Sequence, residues 1–299
     1  MTTDIDTSPI GLIAGEGLFP ILVARGARAA GRRVVCASLG GFAAPEVKPE
    51  VDVHKTVGLM RLGQWIRVLR AAGCTQAIMV GRVPKGKMYN GNRVTRWLQF
   101  VPDVRTISLY MRKLRHDKRD HALLGAVADE LQSAGITLID STTFSRDQLA
   151  TEGTMTPGLE PSLRQQADAL FGWDLCQTIS RHDIGQALAV MDKDVIAVEA
   201  MEGTDAMIRR AGDLCKMSGW TMIKVSNTHQ DMRFDVPSIG THTIESLAKA
   251  RCGCLVVEAN RVILLDKPAV LARARALNIC VIGKRRDELV ANSLGGEPK

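Results

Sequence analysis

Short apolar runs rich in β-branched residues alternate along this chain with longer segments of helical period. That alternation restricts it to a mostly parallel sheet covered by helices. In the first half the runs fall at 10–14, 33–39, 51–56, 76–80 and 136–140, and helical patterns occupy 20–30, 62–72 and 120–134. The last carries Leu123, Leu124, Val127 and Leu131 on one stripe. From 141 to 162 the periodicity fades into Ser/Thr-rich sequence punctuated by Gly153, Pro157, Gly158 and Pro161, the composition of a connecting segment. A second set follows, with strands at 195–200, 221–225, 255–258, 262–265 and 280–282, and helices at 163–179, 204–215, 244–250 and 268–277. The expected fold class is α/β: a Rossmann-like N-terminal domain plus a second C-terminal α/β domain, with the active site between them. The expected boundaries are 1–142 for the first domain, 143–160 for the linker, 161–285 for the catalytic domain and 286–299 for a polar tail.

Length and composition fit two cores. The 299 residues exceed one domain of ordinary size, and 45% hydrophobic with 24% charged residues is ordinary globular composition. Aromatics are 4%, too few for a base-stacking platform, and the net charge of +7 favours an anionic partner. No nucleic-acid module accompanies that charge, so nucleic acid is not an expected partner. The densest basic run, 112–119, suits either a solvated helix end or a phosphate or lipid-headgroup site. The start lacks the basic and apolar regions of a secretory signal, and no stretch approaches the ~18 apolar residues of a membrane span. A cytoplasmic protein is the expectation. Seven scattered cysteines read as reduced core residues, and Cys252-Gly-Cys254 lacks the spacing of a zinc knuckle.

Three segments carry candidate chemistry. The first strand runs into Gly15-Glu-Gly17 and a helix containing Pro20. Such a turn suits a phosphate at a helix start, or is simply a tight strand-to-helix connection. The dinucleotide fingerprint would place a glycine where Pro20 stands and an acid at the end of the second strand, which instead ends Cys36-Ala-Ser-Leu-Gly-Gly. In the second half, Glu199, Glu202 and Asp205 crowd around Gly203, where hard oxygen ligands for a divalent ion would sit. Thr204 could instead cap the following helix. Beyond the strand ending near Lys224 lies 226–240, with Asp231, Arg233 and Asp235 before Pro237 and Gly240. Ligands in open α/β sheets sit at such strand ends.

Taken in order, these residues resemble the UDP-2,3-diacylglucosamine pyrophosphatase family of lipid A biosynthesis over nearly the whole chain. The matching segments are Gly11-Leu-Ile-Ala-Gly-Glu-Gly-Leu-Phe-Pro20, Lys118-Arg-Asp-His-Ala-Leu-Leu124, Asp183-Ile-Gly-Gln186, Glu199-Ala-Met-Glu-Gly-Thr-Asp-Ala-Met207 and Asp235-Val-Pro-Ser-Ile-Gly240. The resemblance implies attack of water on the α-phosphorus of a UDP-linked diacyl sugar lipid, giving UMP and 2,3-diacylglucosamine 1-phosphate. It further implies a divalent ion such as Mg2+ or Mn2+, a homodimer, and peripheral association with the inner membrane surface. Asp235 falls on the family's essential aspartate, as base or metal ligand, and Glu202 through Asp205 fall on its Glu-Gly-Thr-Asp turn. The expected catalytic residues are therefore Asp235, Asp205 and Glu202, with Asp235 and Asp205 as metal ligands. Gly15, Gly17, Gln186, Gly203, Thr204, Lys224 and Arg233 are the expected substrate contacts. The chain departs from its relatives at Asn227-Thr228, where they carry Lys-Pro, and at Arg119-Asp120-His121, where they carry Gly-Asp-Asp. The competing functions are an NAD-dependent oxidoreductase and a non-enzymatic nucleotide- or lipid-binding protein.

Overall fold

The computed structural model describes residues 7–40, 42–83, 100–114, 120–227, 231–234 and 236–286. Two compact units divide the chain: Met1–Asp147 with Gln230–Val236, and Gln148–His229 with Pro237–Lys299. The expected polar tail, 286–299, lies outside the described residues after Arg286.

The first unit is built on strands β1 (Ile10–Ala14), β2 (Val34–Leu39), β3 (Val53–Val57), β4 (Gln76–Val80) and β5 (Thr137–Leu138). They pair in the order β3-β2-β1-β4-β5, every neighbour parallel, which is the strand order of one half and the switch point of a doubly wound nucleotide-binding sheet. Central strands covered on both faces must be apolar throughout, and β1 and β2 are buried at every position. The two-residue period of the strand divides β1 between two cores. Ile10, Leu12 and Ala14 pack with Ile21, Val23, Ala24 and Ala27 of helix α1 (Phe19–Ala29). Ile13 belongs to the other core, with Leu62, Trp65, Ile66 and Leu69 of α2 (Leu62–Ala71).

One sequence expectation in this unit needs correction. After α3 (Val104–Leu109), helix α4 (Asp120–Ser133) turns Ala126, Ala128 and Leu131 to the core, while Leu123 is exposed. Small alanines let the helix sit close to the sheet, and a stripe drawn from large residues alone misses them. In the basic run 112–119, Arg112 pairs with Glu130 at 3.3 Å and Lys113 with Asp129 at 2.7 Å. Two of its charges are thus answered within the unit, and 115–119 lie outside the described residues.

The second unit holds a six-stranded mixed sheet in the order β6-β13-β11-β9-β7-β8. Its strands are β6 (Gly153–Thr154), β7 (Ala187–Met191), β8 (Asp194–Val198), β9 (Trp220–Lys224), β11 (Cys252–Glu258) and β13 (Cys280–Lys284). Strands β9, β11 and β13 are parallel, whereas β7 runs antiparallel to both β9 and β8. A small parallel pair, β10 (Ser238–Ile239) with β12 (Ile263–Leu264), stands apart from the main sheet. Helix α5 (Leu163–Arg181) covers one face through Trp173 and Cys176. Helices α6 (Thr204–Leu214), α7 (Thr241–Lys249) and α8 (Lys267–Ala276) cover the other through Met207, Ile208, Ala211, Ile244, Leu247, Val270 and Ala274.

The segment expected as a linker is largely part of this second unit. Ala150 and Met155 enter its core, and β6 pairs antiparallel with β13. Thr156, fully buried, accepts a hydrogen bond from the Val281 amide at 3.0 Å. Its Ser/Thr content therefore serves buried hydrogen bonding as well as turns. Ser162 and Gln165 then form a reciprocal capping box that starts α5.

Glycine packing gives a test in which one substitution has opposite signs at two sites. A Cβ on Gly26, in α1, would lie 1.7 Å from the Phe144 carbonyl oxygen, whereas one on Gly125, in α4, would meet nothing within 4 Å. Alanine gains about 1 kcal/mol in helix propensity at either site. At Gly26 the backbone overlap costs more, roughly 1–3 kcal/mol or above. Urea unfolding should show Gly26→Ala destabilised and Gly125→Ala stabilised; a Gly26→Ala protein as stable as the parent would refute the close packing of α1.

Thiol reactivity gives a second test. Cys36, Cys74, Cys176, Cys252, Cys254 and Cys280 are buried and Cys215 is partly exposed. Burial pushes the Cys36, Cys176 and Cys252 thiols up to about 12 and Cys74 to about 11, so little reactive thiolate exists there near neutral pH. In native protein at pH 8, Ellman's reagent should label Cys215 first and fast, with the remainder released by denaturant. A fast phase that persists in Cys215→Ser would contradict this burial.

Candidate active site

The carboxyl edge of the second sheet gathers polar side chains because β7 runs against its neighbours. Its first residue, Ala187, stands opposite Lys224, the last residue of β9. The Val225 amide donates to the Gln186 carbonyl at 3.0 Å, and the Glu199 amide donates to the Ala187 carbonyl at 2.9 Å. Gln186, Glu199 and Lys224 are thereby placed on adjoining strand ends. Gly185 permits the approach, since a Cβ there would lie 1.9 Å from the Glu199 carbonyl oxygen.

Lys224 is only 4% exposed and its ammonium donates to the Thr204 hydroxyl at 2.8 Å. That hydroxyl donates in turn to Glu199 Oε1 at 2.5 Å. A buried ammonium is thus linked through one hydroxyl to a buried carboxylate. The second Glu199 oxygen and Gln186 Oε1 are enclosed acceptors with no donor among the described residues.

The Glu-Gly-Thr-Asp turn divides its work differently from the capping expectation. Gly203, at φ 82°, is the residue that caps α6, and the Thr204 hydroxyl faces Glu199 and Lys224. The positive φ explains the glycine. Glu202 is drawn away by Arg210, which meets it at 2.6 Å and also donates to the Val198 carbonyl. Asp205 is exposed in the first turn of α6, where the helix dipole favours a negative charge. Among the described residues no three His, Cys, Asp or Glu side chains gather as an ion site. The described carboxylates alone therefore do not make one, and Asp235 lies outside the described residues.

A second buried acid, Glu258 at the end of β11, was missed by sequence reasoning. It accepts from the Ser226 amide and from Arg286, both at 2.8 Å, and Arg286 also donates to the Ser226 carbonyl. This pair grips the backbone just after β9. Asn227, at the Lys-Pro departure, donates to Asp183 in the Asp-Ile-Gly-Gln segment. Two segments distant in sequence are therefore joined within the second unit.

The remaining expected contacts belong to the first unit. Gly15 serves backbone packing: a Cβ there would lie 2.8 Å from the Arg82 carbonyl oxygen, and Glu16 and Arg82 form an antiparallel bridge. Gly17, at φ 108°, has open space at its Cβ position. Arg233 forms a bidentate pair with Asp231 at 2.6–3.0 Å and lies over the Phe234 ring. The hydrogen bond from Arg233 to Asp231 raises the guanidinium pKa further.

Comparison with known proteins covers both units. The model of the LpxI N-terminal domain matches residues 9–148, and that of the LpxI C-terminal domain matches residues 151–282. The chain is 32% identical over 283 residues to the UDP-2,3-diacylglucosamine pyrophosphatase LpxI of Caulobacter vibrioides, a match covering 92% of this chain and 96% of that protein. With both domain models matched in order and a relative aligned along nearly its full length, the chain belongs to the LpxI family.

Proposed function

We propose that this protein hydrolyses the pyrophosphate bond of UDP-2,3-diacylglucosamine at the α-phosphorus, giving UMP and 2,3-diacylglucosamine 1-phosphate in lipid A biosynthesis. The observation that carries this reading is the end-to-end similarity to a relative named for that activity. The chemistry of the second unit agrees with it. A pyrophosphate diester concentrates negative charge on its non-bridging oxygens, and catalysis needs fixed positive charge there. Lys224 supplies such a charge at a strand's carboxyl end, held in place by Thr204. Asp235, eleven residues further along the chain, is the group we assign to orient or deprotonate the attacking water. Gly203 and Gln186 border Lys224 within the second unit, and Gly15, Gly17 and Arg233 are proposed as substrate contacts on the resemblance alone.

A divalent ion, magnesium or manganese, is proposed on the resemblance alone, with Asp205 and Asp235 as its oxygen donors. Bound there, it would neutralise charge on the pyrophosphate oxygens. Peripheral contact with the inner membrane surface, a cytoplasmic location and a homodimer belong to the same proposal. Among the described residues no helix is long and apolar enough to cross a membrane. A charge of +7 also suits an anionic surface.

Release of UMP from UDP-2,3-diacylglucosamine in detergent micelles tests the activity. Asp235→Ala should lower turnover by roughly 10²–10⁴-fold, the usual worth of a positioned base, while the variant keeps its fold and binds uncleaved substrate. Near-normal turnover in the folded variant would move the role to Asp205 or Glu202. Chelation is a separate measurement. EDTA should abolish UMP release and added Mg2+ or Mn2+ restore it, whereas full activity after exhaustive chelation would remove the ion from the mechanism.

A further inference from the structure

We infer that Glu199 is a positioning residue for the hydrolytic site, acting through the Thr204 hydroxyl to aim the Lys224 ammonium. The inference rests on the pyrophosphatase reading and extends it to a residue outside the assigned catalytic set. A threonine hydroxyl has one proton, and here it goes to Glu199 Oε1 over 2.5 Å. Its lone pairs are thereby left to face Lys224, whose ammonium donates over 2.8 Å. With that rotor fixed, one of the three ammonium hydrogens is anchored and the direction of the others is restricted. Without the carboxylate, the hydroxyl proton could turn towards Lys224 and oppose the ammonium.

Glu199 is suited to this because its own place is rigid. It is 6% exposed, its amide is bonded to Ala187, and its carbonyl packs where Gly185 has no side chain. Lys224 and Glu199 sit on strand ends separated by β7, so Thr204 is the element that joins them. A brace serving only to hold the start of α6 would need neither the ammonium nor the buried charge. The chain Glu199–Thr204–Lys224 therefore places its specificity at the ammonium, where charge on the phosphoryl oxygens develops.

The test measures UMP release by the full-length protein and its variants, alongside thermal unfolding. Glu199→Leu keeps much of the bulk but removes the acceptor for the Thr204 hydroxyl, and kcat should fall roughly 10–100-fold, the usual cost of losing an orienting partner, whereas Glu199→Gln, whose amide oxygen still accepts, should recover most of it. KM should stay within about threefold, because the interaction acts on developing charge more than on ground-state binding. Thr204→Val should show the same split, and Thr204→Ser should recover most of the lost turnover. The double variant Glu199→Leu/Thr204→Val should be no slower than Thr204→Val, since the two residues act as one unit. A folded Glu199→Leu protein with parental kcat overturns the inference, as do losses that multiply in the double variant. Should Glu199→Leu fail to fold, the Thr204→Val and Thr204→Ser pair decides: equal kcat in the two also overturns it. If the parent protein itself releases no UMP, the pyrophosphatase reading fails first and this assignment falls with it.

Discussion

A lysine ammonium at the end of a central strand, almost wholly removed from water, is the constraint around which the second unit is arranged. Burying such a charge costs several kcal/mol unless polar partners meet it. One partner of Lys224, the Thr204 hydroxyl, comes from the turn after β8, two strands away, and reaches it because β7 folds back antiparallel between them. That reversal depends on a hairpin through Asp192 and Lys193, both at positive φ. The Lys193 amide is held there by Asp168, a fully buried acid on α5, at 2.7 Å. A helix on one face of the sheet thus secures the turn that lets a lysine at the far edge be satisfied.

The same solution recurs one strand over. Glu258, 3% exposed at its side chain, and Arg286, 22% exposed, form an ion pair whose surplus hydrogen-bonding capacity is spent on the Ser226 backbone. Removing one member of a buried pair strands the other, so such pairs tolerate little change even where their net contribution to stability is small. One arrangement thus holds the Lys224 side chain and the other the Ser226 backbone, directly before the segment that leads to Asp235. For phosphate chemistry that economy is useful. Under the proposed function, positive groups would be in position before substrate arrives, leaving less reorganisation for the reaction itself.

Much of this was legible in the sequence, and the failures have physical causes. Strands β1, β2, β4 and β9 are buried apolar runs, and periodicity finds those directly. Strand β7, Ala187–Met191, is also fully buried yet was missed. Its hairpin carries Asp-Lys where a short-range signal would be Asn-Gly, because a tertiary hydrogen bond to Asp168 supports the turn. Within the candidate site, the sequence places Lys224 at a strand end and Thr204 in the turn beyond one, where the structure has them, and it shows Glu199 as part of an acidic cluster. What the cluster concealed was a division of labour: Glu199 is bonded to Thr204, Glu202 to Arg210, and Asp205 is exposed. Glu258 left no local signal at all, since its partners are distant in sequence.

The glycine turn after β1 shows why strand order alone is a poor guide to chemistry. The first sheet has the order of a dinucleotide-binding domain, and Gly15-Glu-Gly17 stands where such domains bring backbone close to phosphate. At Gly15, however, the space a side chain would fill is taken by the Gly81 and Arg82 backbone. Close approach there is between two parts of the protein, and it ties the ends of β1 and β4 together through the Glu16–Arg82 bridge. Of the two glycines in this turn, Gly17 alone combines left-handed backbone with open space, and Pro20 occupies the place where a third glycine would allow tight helix packing. The same topology thus carries a different local use of glycine, and the chemistry has to be argued from the side chains each strand end presents.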